Sequence, residues 1–129
     1  MESLKEEYRI SKITVGNMYC IVYHGLTEKF NLSPTETLLI ATIISLSHKK
    51  GYCFSSERSI ASILGVSSVT VSTNLTDLKS RGLIVDGKRD EKYKTIHRKI
   101  GPEVEDYLNY LKVRIEKSKS KDKDSLNNN

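Results

Sequence analysis

The sequence lacks tryptophan and has only two cysteines, two prolines and no long apolar run. No stretch approaches the roughly 20 apolar residues that a transmembrane helix needs, so we expect no membrane partner. The start, MESLKEEYRI, lacks the basic and apolar parts of a signal peptide, and we expect a cytoplasmic protein. Cys20 and Cys53 form no CxxC pair, which predicts two reduced packing residues.

Signatures of enzymes and metal sites are also missing. No nucleophile elbow, phosphate-binding glycine loop or carboxylate pair occurs in a suitable context, so the sequence predicts a protein that is not an enzyme. His24, His48 and His97 lie in different predicted elements, with no acid or thiol at ligand spacing. We therefore expect no metal and no cofactor, while a small-molecule effector stays open.

Positive charge is concentrated in two parts of the 129-residue chain, whose formal net charge is +5. Residues 1–80 carry +1 and residues 101–111 carry −3, whereas residues 81–100 carry +4 and residues 112–129 carry +3. This length fits one domain, so we expect one functional surface. The local excess of cations favours an acidic partner.

The first clear helix signal is a capping box. Ser33 precedes Pro34 at the first helical position, and Glu36 stands three residues after the cap, which predicts a helix from Pro34 to about Lys49. Lys49, Lys50 and Gly51 supply the cations and the glycine typical of a helix end. The predicted buried stripe consists of Leu38, Leu39, Thr42, Ile43 and Leu46.

The pattern of residues 8–30 does not decide between a helix and a strand. We expect a short extended piece that ends near Gly16, followed by a helix, because apolar residues then recur at helical spacing. The β-branched pair Ile21 and Val22 would also suit a strand. The apolar residues at helical spacing are Met18, Val22, Leu26 and Phe30.

Two short helices follow the possible short strand Tyr52-Cys53-Phe54. Ser55 or Ser56 caps the first helix, which ends where Gly65 breaks it, and Ser67 caps the second helix, from Ser68 to about Ser80. Ala61, Gly65 and Val71 supply in order the small residue, the turn glycine and the apolar contact that a helix-turn-helix requires. The other apolar residues that are predicted to pack the two helices against each other, called the apolar lock below, are Ile60, Leu64, Val66, Leu75 and Leu78.

A hairpin and a last helix complete the predicted elements. Leu83-Ile84-Val85 predicts a strand, Asp86-Gly87 a hairpin turn, and Lys92 to Ile100 the return strand. Pro102 begins a helix, and the residues beyond Ile115 are too polar to bury, which predicts a disordered tail. The narrow apolar stripe of the last helix is Val104, Leu108, Leu111 and Ile115.

The stretch from Leu32 to Ile100 resembles bacterial and phage winged-helix proteins, which include transcriptional regulators and plasmid or phage replication and segregation proteins. The resemblance implies a mainly α fold with a small β-hairpin (α+β), a winged helix-turn-helix with flanking N- and C-terminal helices. It also implies double-stranded DNA as the partner, with the third helix in the major groove and the hairpin as a basic wing.

Carried onto this sequence, the resemblance assigns two sets of candidate DNA contacts. The recognition-helix set is Ser67, Ser68, Val69, Thr70, Ser72, Thr73 and Asn74. The backbone and wing set is Ser55, Ser56, Arg58, Lys79, Lys88, Arg89, Lys92 and Lys94. The recognition helix departs from the usual pattern because it has no cation before Lys79, so we expect specificity that is weak, based on DNA shape, or directed at A·T pairs.

The expected organisation is an N-terminal segment (1–30), a winged-helix domain (31–101), a C-terminal helix (102–116) and a disordered polar tail (117–129). We expect a homodimer formed through either the N-terminal segment or the C-terminal helix, although the helix stripe would also suit packing on the core. We expect a transcriptional regulator. The alternatives are a replication or segregation protein and a winged-helix module that binds proteins.

Overall fold

The computed structural model describes residues 6–92 and 94–127, with side chains up to residue 118. A 3-10 turn (Glu6–Tyr8) precedes the first strand. The elements then follow in the order β1 (Ile10–Val15), β2 (Met18–Tyr23), α1 (His24–Lys29), α2 (Pro34–Leu46), α3 (Glu57–Leu64), α4 (Ser68–Ser80), β3 (Ile84–Arg89), β4 (Ile96–Ile100) and α5 (Pro102–Asn127). The mainly α winged helix-turn-helix fold is therefore confirmed, with a second hairpin ahead of it.

The N-terminal hairpin corrects one prediction. β1 and β2 pair antiparallel, so the helix predicted after Gly16 is wrong over β2, and only α1 is helical. Gly16 takes a φ of 61° at the first position of the two-residue turn, where a type II′ turn requires a positive φ. Along β2, Cys20 and Val22 are buried with Ala41 of α2, while Tyr19 stays exposed.

Serine caps set the starts of the central helices as predicted. Ser33 Oγ accepts from the Glu36 N–H at 3.1 Å, and the Glu36 carboxylate accepts from the Ser33 N–H at 2.9 Å, which completes the capping box of α2. This helix ends at Leu46, three residues before the predicted Lys49. Leu38 is 37% exposed, so its place in the predicted buried stripe is wrong.

The wing also differs from its prediction. Asp86-Gly87 lies inside β3, and a register shift between Asp86 and Arg89 accommodates the extra length. The turn lies at the tip, where the Asp90 N–H donates to the Thr95 carbonyl and Lys94 adopts a φ of 57°. The return strand begins at Ile96 instead of Lys92. The Asp86 carboxylate lies beside Lys79 of α4 and Arg98 of β4, which places Asp86 within the strand and not in the turn.

The two cysteines are buried and free, as predicted for packing residues. Cys53 bridges Arg98 of β4: its N–H donates to the Arg98 carbonyl at 2.6 Å, and its own carbonyl accepts at 2.8 Å. The predicted short strand around Cys53 is thus a single bridge. Burial raises the pKa of the Cys53 thiol, which keeps the thiol in its neutral form.

The stripe of α5 packs on the core of its own protomer. Val104, Leu108, Leu111 and Ile115 are at most 7% exposed, so the prediction that this stripe forms a dimer seam is wrong, and the packing alternative is correct. The helix continues to Asn127, in contrast to the predicted disorder from residue 117. Among the described residues, no helix combines the length and the apolar character needed to cross a membrane.

The ends of the predicted N-terminal segment and tail, residues 1–5 and 128–129, lie outside the described residues. The 3-10 turn is tied to α5, because the Tyr107 hydroxyl donates to the Glu7 carboxylate at 2.9 Å. Burial and this carboxylate raise the pKa of Tyr107 to about 12, since both favour the neutral phenol.

The start of α5 depends on a close backbone approach at Gly101. Its N–H donates to the Leu83 carbonyl at 2.7 Å, and a Cβ at this position would lie 2.0 Å from the Gly82 carbonyl oxygen. We expect Gly101→Ala to lower the free energy of unfolding by about 2–3 kcal/mol, measured by urea denaturation. Gly87→Ala is the matched control, because its Cβ would meet His97 at an ordinary 3.5 Å. Equal effects of the two variants would contradict this account.

Candidate nucleic-acid interface

The turn between α3 and α4 has the geometry that the sequence predicted. Gly65 adopts a φ of 72°, and its N–H donates to the Ala61 carbonyl at 2.9 Å, which closes α3. Val66 is 37% exposed, so its predicted part in the apolar lock is wrong. The residues that do lock the two helices are Ile60, Ala61, Val71, Leu75 and Leu78, all at most 4% exposed.

The N-terminal half of α4 presents an uncharged polar surface. Ser67, Ser68, Val69 and Thr73 are exposed, whereas Thr70, Ser72 and Asn74 are half-buried. Val69 is 75% exposed, so its methyl groups are accessible to a partner. These residues share one end of one helix, as predicted, and their contacts to DNA stay a prediction.

Two of these side chains already have partners within the helix. Ser67 Oγ accepts from the Thr70 N–H at 3.1 Å and lies 2.9 Å from Thr70 Oγ1, so Ser67 acts as the cap of α4. Asn74 Nδ2 donates to the Thr70 carbonyl at 2.8 Å, which uses one of its donors. Thr73 is exposed near the middle of the same surface, and this exposure makes it a better candidate for a base contact than Asn74.

The wing concentrates exposed cations. Lys88 and Arg89 end β3, Lys92 and Lys94 lie in the tip, and all four are exposed. Among the residues that the structure describes, no ion pair involves Lys88, Arg89 or Lys94. Their charge is therefore available to an anionic partner.

Of the remaining predicted DNA contacts, one side chain is exposed, and the others already take part in contacts within the protein. Arg58 is exposed in the first turn of α3. Lys79 is not free, because its Nζ lies 3.1 Å from Asp86 Oδ2. Ser56 caps α3 through a 3.0 Å bond from the Ser59 N–H, and Ser55, half-buried, offers its carbonyl to Arg98.

Arg98, a residue that the sequence prediction missed, ties the wing to α3. It is 6% exposed, and Nη1 donates to the Ser55 carbonyl at 3.2 Å. Nη2 donates to Glu57 Oε1 at 3.4 Å, and Nε lies 3.9 Å from Asp86 Oδ1, too far for a hydrogen bond. The period-2 alternation of β4 could have identified it, because Arg98 shares an inward face with Ile96 and Ile100.

A second arginine, Arg81, anchors the C-terminal end of α4. Arg81 Nη1 lies 3.7 Å from Glu36 Oε2 and 3.8 Å from Asp77 Oδ2, and its Nη2 donates to the Phe30 carbonyl. Glu36, which completes the capping box of α2, is itself 6% exposed. The C-terminal end of α4 is therefore held to α2 by the Arg81–Glu36 ion pair, while its N-terminal end faces outward.

We expect Arg98→Met to lower the free energy of unfolding by about 1–3 kcal/mol, because the Ser55 carbonyl loses its donor, Glu57 loses its cation and Asp86 keeps only Lys79. Both carboxylates are about a third exposed, and water limits the loss. Lys99→Met, which removes the adjacent exposed cation of β4, is the matched control in the same urea titration. An unfolding curve as little changed as that of the control would refute this assignment to Arg98.

Comparison with known proteins places these elements in a known architecture. Residues 31–84, which run from the end of α1 to the start of β3, match the family model described as a helix-turn-helix domain. No curated protein matches the sequence. The match supports the resemblance from Leu32 to Ile84, whereas the rest of the wing up to Ile100 lies outside the matched residues.

Several solved structures are similar to this chain at low sequence identity. A transcriptional regulator from Thermotoga maritima aligns with a TM-score of 0.57 and 16% identity over 79% of this chain and 67% of that chain. MepR from S. aureus, solved in complex with DNA, aligns with a TM-score of 0.54 and 14% identity over 74% of this chain and 65% of that chain. A MepR mutant bound to an oligodeoxyribonucleotide aligns with a TM-score of 0.55 and 12% identity over 75% of this chain and 67% of that chain.

The chain spans about two thirds of the length of the MepR chains that it matches. At identities of 12–16%, the likeness concerns the fold. The chain has a winged-helix fold, and its residues 31–84 match the model of a helix-turn-helix domain.

Proposed function

We propose that the chain binds double-stranded DNA and regulates transcription, with the N-terminal half of α4 in the major groove and the wing on the adjacent backbone or minor groove. The observation that carries the proposal is the pairing of an outward helix end with exposed wing cations. A major groove admits one α-helix, and the exposed Val69 and Thr73 would then reach base edges.

The two parts of this interface contribute different energies. Phosphate contacts from Lys88, Arg89, Lys92 and Lys94 would release counterions and supply most of the affinity. The α4 surface carries no cation before Lys79, so hydroxyls, the Asn74 amide and the methyl groups of Val69 and Thr73 would provide sequence preference. The positive N-terminal ends of α3 and α4 would add contacts to phosphate through backbone N–H groups.

The comparisons support this proposal over its alternatives. The matched model is that of a helix-turn-helix domain, one similar structure is a transcriptional regulator from Thermotoga maritima, and MepR was solved in complex with DNA. We therefore propose a cytoplasmic regulator without a catalytic step or a cofactor, which acts as a homodimer on two half-sites.

The decisive experiment is a titration of the purified protein against pooled genomic fragments at two salt concentrations, with sequencing of the bound fragments. Enrichment of a few sites with two-fold symmetry would support a dimeric regulator. A single cluster of direct repeats would favour replication or segregation instead. No retention at low salt would overturn DNA binding and favour a module that binds proteins.

Reversal of the wing charges tests the proposed docking. We expect Lys88→Glu with Arg89→Glu to weaken binding to all sequences by about 10- to 100-fold, and to lower the slope of log K against log salt by about two. Fluorescence anisotropy on a labelled duplex at several salt concentrations measures both quantities. Arg9→Glu with Lys12→Glu, which makes the same charge change on and just before β1, is the matched control. An affinity equal to that of the control would refute the wing contact.

A substitution on α4 tests the reading of bases. We expect Thr73→Ala to change the set of enriched sequences while overall affinity falls by less than about tenfold, because a hydroxyl and a methyl group contact base edges and not phosphate. Sequencing of the bound fragments gives the preference. Thr76→Ala is the control, since its hydroxyl donates to the Ser72 carbonyl within α4 at 2.9 Å. An unchanged preference for Thr73→Ala would place the groove contact elsewhere.

A further inference from the structure

The face of α5 that points away from the core carries a second stripe. Asp106, Tyr110, Val113 and Lys117 follow one another at spacings of four, three and four residues, and all four are exposed. At about 100° per residue they fall within about 60° of one another, opposite the buried stripe. We refer to these four residues as the outer stripe.

The centre of the outer stripe is apolar and exposed. Val113 is 54% exposed and Tyr110 is 38% exposed, in a helix whose opposite face is fully packed. Spacings of four and three are those of the seam between two paired helices. A surface of this kind gains free energy when a second helix covers it.

Tyr110 is held in place before any partner arrives. Its hydroxyl lies 3.2 Å from the Tyr8 hydroxyl, and the Arg114 guanidinium lies 5.5 Å from the centre of its ring. The Tyr107 ring packs beside it with centroids 5.5 Å apart. Because the ring is already ordered, a partner would have less side-chain entropy to overcome.

The two ends of the outer stripe carry opposite charges. Asp106 lies on the N-terminal side of the apolar centre and Lys117 on its C-terminal side, and neither forms an ion pair with any other residue in the described part of the chain. A parallel second helix would place like charges opposite each other. An antiparallel one would place each carboxylate opposite an ammonium group, which is the favourable arrangement.

We infer that the outer stripe pairs two copies of this chain through antiparallel α5 helices. In this register Tyr110 lies against the partner's Val113, and Asp106 lies against the partner's Lys117, each contact occurring twice about the two-fold axis. The expected crossing angle is about 20°, as in other seams with this spacing. The inference rests on the homodimer in the proposed function and specifies its surface, but it does not depend on DNA.

One pair of helices is a small interface. Interfaces of limited area sit at the weak end of specific association, so we expect dissociation constants in the micromolar range for the protein alone. Two half-sites on one DNA would raise the effective concentration of one protomer near the other. The dimer would therefore be a minor species in dilute solution and the dominant one on its DNA site.

A charge exchange across the seam tests both partner and register. Asp106→Lys places two lysines together and Lys117→Asp places two aspartates together, so we expect each single variant to raise the dissociation constant of the dimer about tenfold. The double variant restores opposite charges and should return to within about threefold of the wild type. Sedimentation velocity of the full chain without DNA, at about 1–200 µM and low salt, measures all four constants.

Two controls separate the seam from general effects of charge. Glu105→Lys and Lys112→Asp make matched changes on the exposed flank of α5, about 110–130° away from the outer stripe, and should leave the dissociation constant unchanged. Thermal unfolding checks that every variant folds. Val113→Glu, which places a carboxylate at the apolar centre, should abolish the dimer without lowering the melting temperature, because Val113 is exposed.

Several results would overturn the inference. These are a wild type that stays monomeric at every concentration, flank variants that dissociate as strongly as the stripe variants, and a double variant no better than the single ones. The same proteins in the DNA titration keep the two proposals apart. A dimer that fails to bind DNA would overturn the proposed function and leave the seam intact, whereas a monomer that binds DNA would do the reverse.

Discussion

The position of the wing depends on the hydrogen bonds that the buried guanidinium of Arg98 makes to the start of α3. Removal of an arginine from water is costly, and the cost is offset here by the Ser55 carbonyl and Glu57 at the start of α3 and by Asp86 of β3. Asp86 also faces Lys79 at the end of α4. One network therefore connects the wing, the start of α3 and the end of α4, so the hairpin and the helix-turn-helix are held as one unit.

Local features of the helices were predictable because they depend on neighbouring residues in the chain. Ser33, Ser56 and Ser67 cap their helices through bonds to N–H groups three residues away, and Gly65 supplies the positive φ of the turn. The positions assigned to DNA contacts on α4 are indeed at its outward end, although the sequence showed neither that Asn74 bonds its own helix nor that Lys79 is paired.

The errors occurred where distant contacts decide between local alternatives. The segment from Met18 to Tyr23 satisfies a helical and an alternating pattern equally well, and its burial against α2 selects the strand. Asp86-Gly87 is a strong turn signal, yet the pairing of Asp86 with two cations keeps it within β3. The buried stripe of α5 has the spacing of a dimer seam, but it packs in the core of its own protomer.

The separation of charge between α4 and the wing has a consequence for how such a protein can change over time. The outward end of α4 carries no formal charge, and the exposed cations of the wing lie some 20 residues later in the chain. A mutation on the helix can thus alter which sequence is preferred while the attraction to phosphate is kept, and a mutation in the hairpin can adjust overall strength alone. Preference and strength would evolve as two nearly independent traits.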